Sequence, residues 1–330
     1  MRFLVTGSAG FIGSNLVDRL LAEHHEVVGY DNFSTGQIAF LEGAHRNARF
    51  RQVRGDLLDV PALEHAMAGV EFVFHLAANA DVRFGLQHPA RDVEQNTLAT
   101  FNVLEAMRRQ GVAHVAFSST GSIYGEPEIF PTPEHAPFPV QTSLYGASKL
   151  ACEGLIQAYC EGFGFRGYIF RFVSILGERY THGHVVDFYR QLREHPDRLD
   201  VLGDGHQRKS YLYIQDCIGA MLMTIERRQN EKLTILNLGT DEYCEVRESA
   251  QWIAEHLGLA PQMMFSGGCR GWVGDSPFIF LDCSAVRRLG WQPRLTIREA
   301  VLRTVDFLRA NSWVLDCRIE PQSPVNPRPS

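Results

Sequence analysis

Thr6-Gly7-Ser8-Ala9-Gly10-Phe11-Ile12-Gly13 sets three glycines at three-residue intervals. They stand between the apolar run Phe3-Leu4-Val5 and a stretch whose Phe11, Leu16, Leu20 and Leu21 share one helical face. A strand that turns through glycine straight into a helix is a narrow specification. Gly7 allows the tight turn, Gly10 lets backbone N–H groups approach a diphosphate at the helix N-terminus, and Gly13 lets the helix pack close to the strand. Asp31 follows the next apolar run, Glu26–Tyr30. A carboxylate there accepts hydrogen bonds from an adenosine ribose and repels a 2′-phosphate. Loop and carboxylate together predict a dinucleotide site that prefers NAD to NADP.

The alternation continues. Phe50–Val53, Glu71–Phe74 and Val112–Phe117 are further short apolar runs, and a helical stretch over about 86–110 carries Phe101, Val103, Leu104 and Met107. Strands separated by helices predict an α/β, Rossmann-type doubly wound parallel sheet, with its ligand beyond the carboxyl ends of the strands. Past about residue 174 the pattern loosens into what reads as a smaller C-terminal α/β substrate domain. Arg198–Gln207 and Ser266–Pro277 are rich in glycine and charge and are expected to be loops. Helical patterns return near 215–228, 245–257 and 296–310, and Thr234–Leu238 reads as a strand rejoining the first sheet. The expected division is 1–173 with 212–238 for the dinucleotide domain, and 174–211 with 239–315 for the substrate domain. The proline-rich end, 316–330, is expected to be a disordered tail.

Composition narrows the partners. A formal charge of −6 on 330 residues gives no field that recruits nucleic acid or an anionic membrane surface. No apolar run is long enough to span a bilayer and no signal-like segment precedes Phe3, which predicts a cytoplasmic protein. The seven cysteines form no Cys-x-x-Cys pair and read as reduced thiols. Of the 32 basic residues only Lys149, Lys209 and Lys232 are lysines, so each raises the question of whether arginine could not serve.

Lys149 lies four residues after Tyr145 in Tyr145-Gly146-Ala147-Ser148-Lys149, which places both on one face of a helix. An unperturbed phenol is a poor base at neutral pH, and a neighbouring ammonium, aided by a nicotinamide cation, is expected to favour phenolate. Lysine also offers a compact donor to a ribose hydroxyl. The fifth strand runs into Ser118-Ser119-Thr120-Gly121-Ser122, where a hydroxyl beside the proposed base can bind the reacting oxygen and relay its proton. Thr120 is the first choice, ahead of Ser118, Ser119 and Ser122. Asp56-Leu57 and Leu76-Ala77-Ala78 follow the third and fourth strands, at the same sheet edge as Gly7.

These motifs together resemble the extended short-chain dehydrogenase/reductases, specifically the NAD-dependent nucleotide-sugar epimerase/dehydratase family. The likeness extends from residue 1 to about 310. It implies NAD as cofactor, Tyr145 as base with Lys149 and Thr120, and a homodimer. It also implies that Asn32, Ser34, Thr35 and Gly36 join Asp31 around the ribose, that Asn96 and Ser118 belong to the cofactor site, and that Val173 lies beside the nicotinamide. In such enzymes a sugar hydroxyl is oxidised to a ketone, which is then epimerised, dehydrated, decarboxylated or reduced. Family 4,6-dehydratases carry Asp-Glu directly after the threonine; here Gly121 and Ser122 stand there. The resemblance therefore points to a 4-epimerase acting on a nucleotide sugar.

The substrate half departs from the family pattern. Ser174 replaces the Asn of Arg-x-x-Asn-x-x-Gly, Lys209 replaces the Arg of Gly-Asp-Gly-x-Gln-x-Arg-Asp, and Trp272 stands in place of Arg in Arg-x-Gly-Asp. Lys209, Arg208, Arg179 and Arg270 are expected to supply a cationic clamp instead. His182 and His184 are candidate sugar or nucleotide contacts; as a metal pair they lack a nearby third ligand. Two further readings remain: a net NAD(P)-dependent sugar oxidoreductase or dehydratase of the same fold, and an NAD-sensing regulator without chemistry.

Overall fold

A computed structural model describes residues 1–79, 87–138 and 140–317. Seven parallel strands make the central sheet: β1 (Arg2–Thr6), β2 (Glu26–Asp31), β3 (Phe50–Arg54), β4 (Phe72–His75), β5 (His114–Thr120), β6 (Arg166–Phe172) and, after four short strands, β11 (Leu233–Leu238). Their spatial order is β3-β2-β1-β4-β5-β6-β11. Chain order reverses between β1 and β4, and that switch opens a crevice at the carboxyl ends of the strands.

Side chains alternate between two cores, as a sheet covered on both faces requires. Leu4, Val28, Val73, Val115 and Ile169 face the helices Ala99–Gln110 and Leu144–Phe163. Phe3, Val5, Val27, Phe74 and Ala116 face the opposite core, which takes in helices Phe11–Ala22 and Ile214–Arg227. Each fully buried Leu or Phe contributes about 2 kcal/mol of apolar burial.

The short strands build the other wall of the crevice. β7 (Ser174–Leu176) pairs in parallel with β10 (Tyr211–Tyr213). β8 (Arg198–Val201) pairs with β13 (Gln262–Phe265), and β9 (Arg208–Lys209) lies between β12 (Cys244–Glu245) and β14 (Phe278–Ile279). The start of the expected loop Arg198–Gln207 is thus a strand, because Leu199 and Val201 alternate into the core while Arg198 and Asp200 face out.

The long helix expected over 86–110 is divided. A short helix, Pro89–Asp92, leads through a π-helical turn, Val93–Leu98, into Ala99–Gln110. Val103, Leu104 and Met107 are buried there, whereas Phe101 is exposed. Residues 80–86 and the tail from 318 lie outside the described residues. Among the described residues no helix is long and apolar enough to cross a membrane. Among the cysteines whose side chains are described, six are free thiols, five of them buried and Cys269 exposed.

Candidate active site

Beyond the strand ends lies a cavity of about 1420 Å³; the part beside the glycine loop is called its first arm, the part beside the short strands its second, and Tyr145 is among the lining residues. Gly7, Gly10, Phe11, Ile12 and Gly13 line the first arm. Gly7 has a φ of +69°, and a Cβ on Gly13 would stand 2.0 Å from the Gly7 carbonyl oxygen. Only a hydrogen at Gly13 lets helix Phe11–Ala22 come this close to the turn. No side chain caps that helix at Gly10, and its first turn holds no carboxylate. Its leading N–H groups are therefore positioned for an anion.

Asp31 is buried at the end of β2. Its Oδ2 accepts from the Ala9 N–H at 2.9 Å and its Oδ1 from the Phe33 N–H at 2.8 Å. Burial raises its carboxyl pKa above the ordinary value, and those two N–H bonds oppose the rise. Asn32, Ser34, Thr35 and Gly36 line the cavity beside it, as do Asp56 and Leu57. Asn32 Nδ2 donates to Asp56 Oδ2 at 2.9 Å, which ties the ends of β2 and β3 together. Leu76, Ala77 and Ala78 form the facing wall. An uncapped helix end for a diphosphate and a buried carboxylate for a ribose diol fit a dinucleotide.

Helix Leu144–Phe163 starts at Ser143, whose Oγ accepts from the Gly146 N–H at 3.0 Å. Its first turn brings Tyr145 to the cavity, which Thr120 also lines. Thr120 ends β5, accepts from the Ser122 N–H at 3.1 Å, and lines the cavity with Ser122. Lys149 is buried behind them. Its Nζ donates to the Ser118 carbonyl at 2.8 Å and sits 4.5 Å from the centre of the Phe117 ring.

Within the polypeptide, burial works against the lowering expected from ammonium and nicotinamide together. Burial pushes the Tyr145 phenol above its ordinary value; the Thr120 hydrogen bond opposes this, while the charges of Asp92 and Cys152 add to it. Burial also pulls the Lys149 ammonium down to about 8. In this polypeptide alone desolvation outweighs the attraction that helix spacing suggests.

Three residues expected at the cofactor or substrate stand differently. Ser118 and Asn96 are buried and do not line the cavity. Asn96 Nδ2 donates to Ser148 Oγ at 2.8 Å and its Oδ1 accepts from the Asn79 N–H at 2.8 Å, so it braces the π-helical turn against the Tyr145 helix. Ser119 reaches the cavity wall, but its hydroxyl donates at 2.5 Å to Glu153 Oε1.

Val173, Ser174, His182, His184 and Lys209 line the second arm. The expected cationic clamp is not assembled. Arg179 turns to Asp18 at 2.6 Å, Arg208 lies 3.9 Å from the centre of the Phe278 ring, and Arg270 pairs with Glu126. None of these three lines the cavity. Lys209 does, with its Nζ donating to Asp275 Oδ1 at 2.6 Å and to the Ser276 carbonyl. His184 Nε2 lies 2.8 Å from Ser249 Oγ, and burial holds its pKa down to about 3, so the ring is neutral. His182 stacks on Tyr180. Sequence reasoning missed Tyr180, Tyr211, Asp275 and Arg190 at this wall. A single carboxylate in a glycine-rich loop carries no local sign that a lysine 66 residues earlier is its partner.

The family model for the NAD dependent epimerase/dehydratase family matches residues 3–239. The chain belongs to that family. It is similar to a UDP-glucose 4-epimerase of Mycolicibacterium smegmatis, with 33% identity over 94% of this chain and 100% of the relative. Among family structures, a crystal structure of a UDP-galactose 4-epimerase has a TM-score of 0.84 and 37% identity, covering 95% of this chain and 100% of the other. A dTDP-glucose 4,6-dehydratase from Streptomyces venezuelae, solved with NAD bound, has a TM-score of 0.88 and 26% identity, with 96% and 100% covered. The epimerase/dehydratase family thus supplies relatives of both outcomes, and the architecture here is shared with both.

Proposed function

We propose that the protein is an NAD-dependent nucleotide-sugar 4-epimerase. One observation carries the choice within the family: Thr120 and Tyr145 line the same cavity, and the two residues after Thr120 are Gly121 and Ser122. Neither bears a carboxyl to move protons at C5 or C6, so elimination of water lacks its acid and base. UDP-glucose and UDP-galactose are the first pair to test, given the named relatives.

In this reading a sugar hydroxyl bridges Thr120 and Tyr145. Its proton passes to the phenolate while the hydrogen on the same carbon leaves as hydride, and a ketone forms. When bound in the glycine-loop arm, oxidised NAD would supply the hydride acceptor and donor, and its positively charged ring would add the attraction that favours phenolate. Lys149 holds Ser118, and through it the end of β5, in place. Tyr145 holds that proton and returns it to the same oxygen once the keto-sugar has presented its other face. Net redox change is zero. Six free thiols fit a reducing compartment such as the cytoplasm. A homodimer is part of the same proposal.

The test begins by denaturing purified protein and identifying the released dinucleotide. Fresh enzyme is then given a panel of nucleotide sugars without added cofactor. Inversion at C4 is the expected result. Stoichiometric NADH with a stable keto product would establish the oxidoreductase reading instead, and inert NAD-loaded protein would leave the regulator. Tyr145→Phe is expected to retain NAD and to lose turnover by about 10³-fold.

A further inference from the structure

The last described turn of the chain, Ser312–Cys317, lies outside residues 3–239 matched by the family model. It follows helix Ile297–Ala310 and contacts two residues that line the cavity, Arg190 and Phe40. Val314 and Leu315 are buried in the large core, which fixes the turn in place. On one side the Leu315 carbonyl accepts from Arg190 NH2 at 3.1 Å. Arg190 lines the cavity from helix His184–Glu194, whose first residue is in the substrate arm.

On the other side the Trp313 ring stands 5.4 Å from Phe40. Phe40 is 3% exposed, lines the cavity, and follows Ser34-Thr35-Gly36 on the turn Ile38–Leu41. Its ring also has the Arg179 guanidinium 5.9 Å from its centre, and Arg179 is anchored to Asp18 on the glycine-loop helix. Phe40 therefore contacts both Arg179 and Trp313. Displacing Phe40 from the wall beside Asp31 would disturb these contacts.

From this bridge we infer that the turn Ser312–Cys317 is a strap that retains the dinucleotide between turnovers. The inference rests on the epimerase reading, because a cycle that returns its hydride needs a cofactor that stays. It assigns Trp313 and Leu315 a positioning role, acting through Phe40 and Arg190. Loosening either contact should speed cofactor loss before it alters the chemistry at Tyr145.

The experiment uses full-length enzyme purified with its dinucleotide. Trp313→Ala and Trp313→Leu each remove the ring contact with Phe40 and leave Val314 and Leu315 in the core. Samples are diluted and desalted over a time course, and the NAD remaining is released by denaturation and assayed. The expected result is NAD loss about tenfold faster in each variant, with turnover recovered when NAD is added in excess. A thermal melt with excess NAD checks that the variants remain folded. Unchanged retention in both folded variants would overturn the strap. Retention is read without any sugar, so an enzyme that holds NAD through the strap but inverts no nucleotide sugar would sink the epimerase reading alone.

Discussion

His75 ends β4 beneath the dinucleotide arm with both ring nitrogens engaged. Thr6 Oγ1 accepts from the N–H groups of Leu76 and Ala77, each at 3.2 Å, so its own hydrogen goes to His75 Nδ1 at 2.8 Å. The ring proton is then on Nε2, donated to Thr100 Oγ1 at 2.9 Å, and the Thr100 hydroxyl donates onward to Cys152 Sγ. A second ring proton would face the Thr6 hydrogen. Burial, with the nearby Lys149 charge, holds this imidazole down to about 3. Its unfolded counterpart titrates near 6.5. Between those values the unfolded chain binds a proton that the folded chain refuses, so stability falls as pH drops through the window. The loss from this residue alone is about 1.4 kcal/mol by pH 5.5. Urea unfolding from pH 7.5 to 5.5 should show it, and His75→Asn should flatten the slope whatever its stability at pH 7.5. Equal slopes would refute the assignment.

At the scale of elements, the cofactor arm depends on how closely helix Phe11–Ala22 meets β1. A methyl at Gly13 would collide with the Gly7 carbonyl, which is backbone and cannot rotate away. Gly13→Ala must push the helix outward, at a cost of about 1–3 kcal/mol. The N–H groups proposed to hold the diphosphate move with it. The expected outcome is a lower melting temperature together with loss of co-purified NAD; a variant that keeps full NAD occupancy contradicts this account. The π-helical turn Val93–Leu98 shows the limit of reading elements from periodicity. The sequence pattern is helical throughout, but the extra residue per turn that aims Asn96 at Ser148 is set by packing against helix Leu144–Phe163.

Across the whole molecule, one buried ion pair ties the catalytic strand to the far edge of the sheet. Glu153 receives Arg171 at 3.1 and 2.8 Å and Ser119 at 2.5 Å. Arg171 also donates to Tyr124 Oη at 2.7 Å, and Tyr124 donates to Asn237 on β11 at 2.9 Å. Helix Leu144–Phe163, β5, β6 and β11 thus meet in a single network. Glu153→Ala would leave Arg171 buried without its counter-charge, which costs about 3–5 kcal/mol. Chemical denaturation measures this, and a loss below about 1 kcal/mol would mean that water or a neighbour rescues the guanidinium.

Much of the cofactor arm was legible because its instructions are local. Three spaced glycines, Asp31 at a strand end, and Tyr145 one helical turn from Lys149 are specified within a few residues, where backbone geometry alone relates them. The second arm was not. Whether Arg179 faces a substrate or Asp18 depends on a partner 161 residues away, and Lys209 meets Asp275 only once β9 is placed beside its loop. The Tyr145 phenol makes the same point, since spacing names its neighbour but not how much water burial removes. The sequence by itself determined the fold class, the dinucleotide loop and the candidate base. Tertiary structure alone decided which cations face the cavity, which hydroxyls are already spent, and which way each pKa moves. Charge pairing and desolvation act through space, between segments the chain keeps far apart.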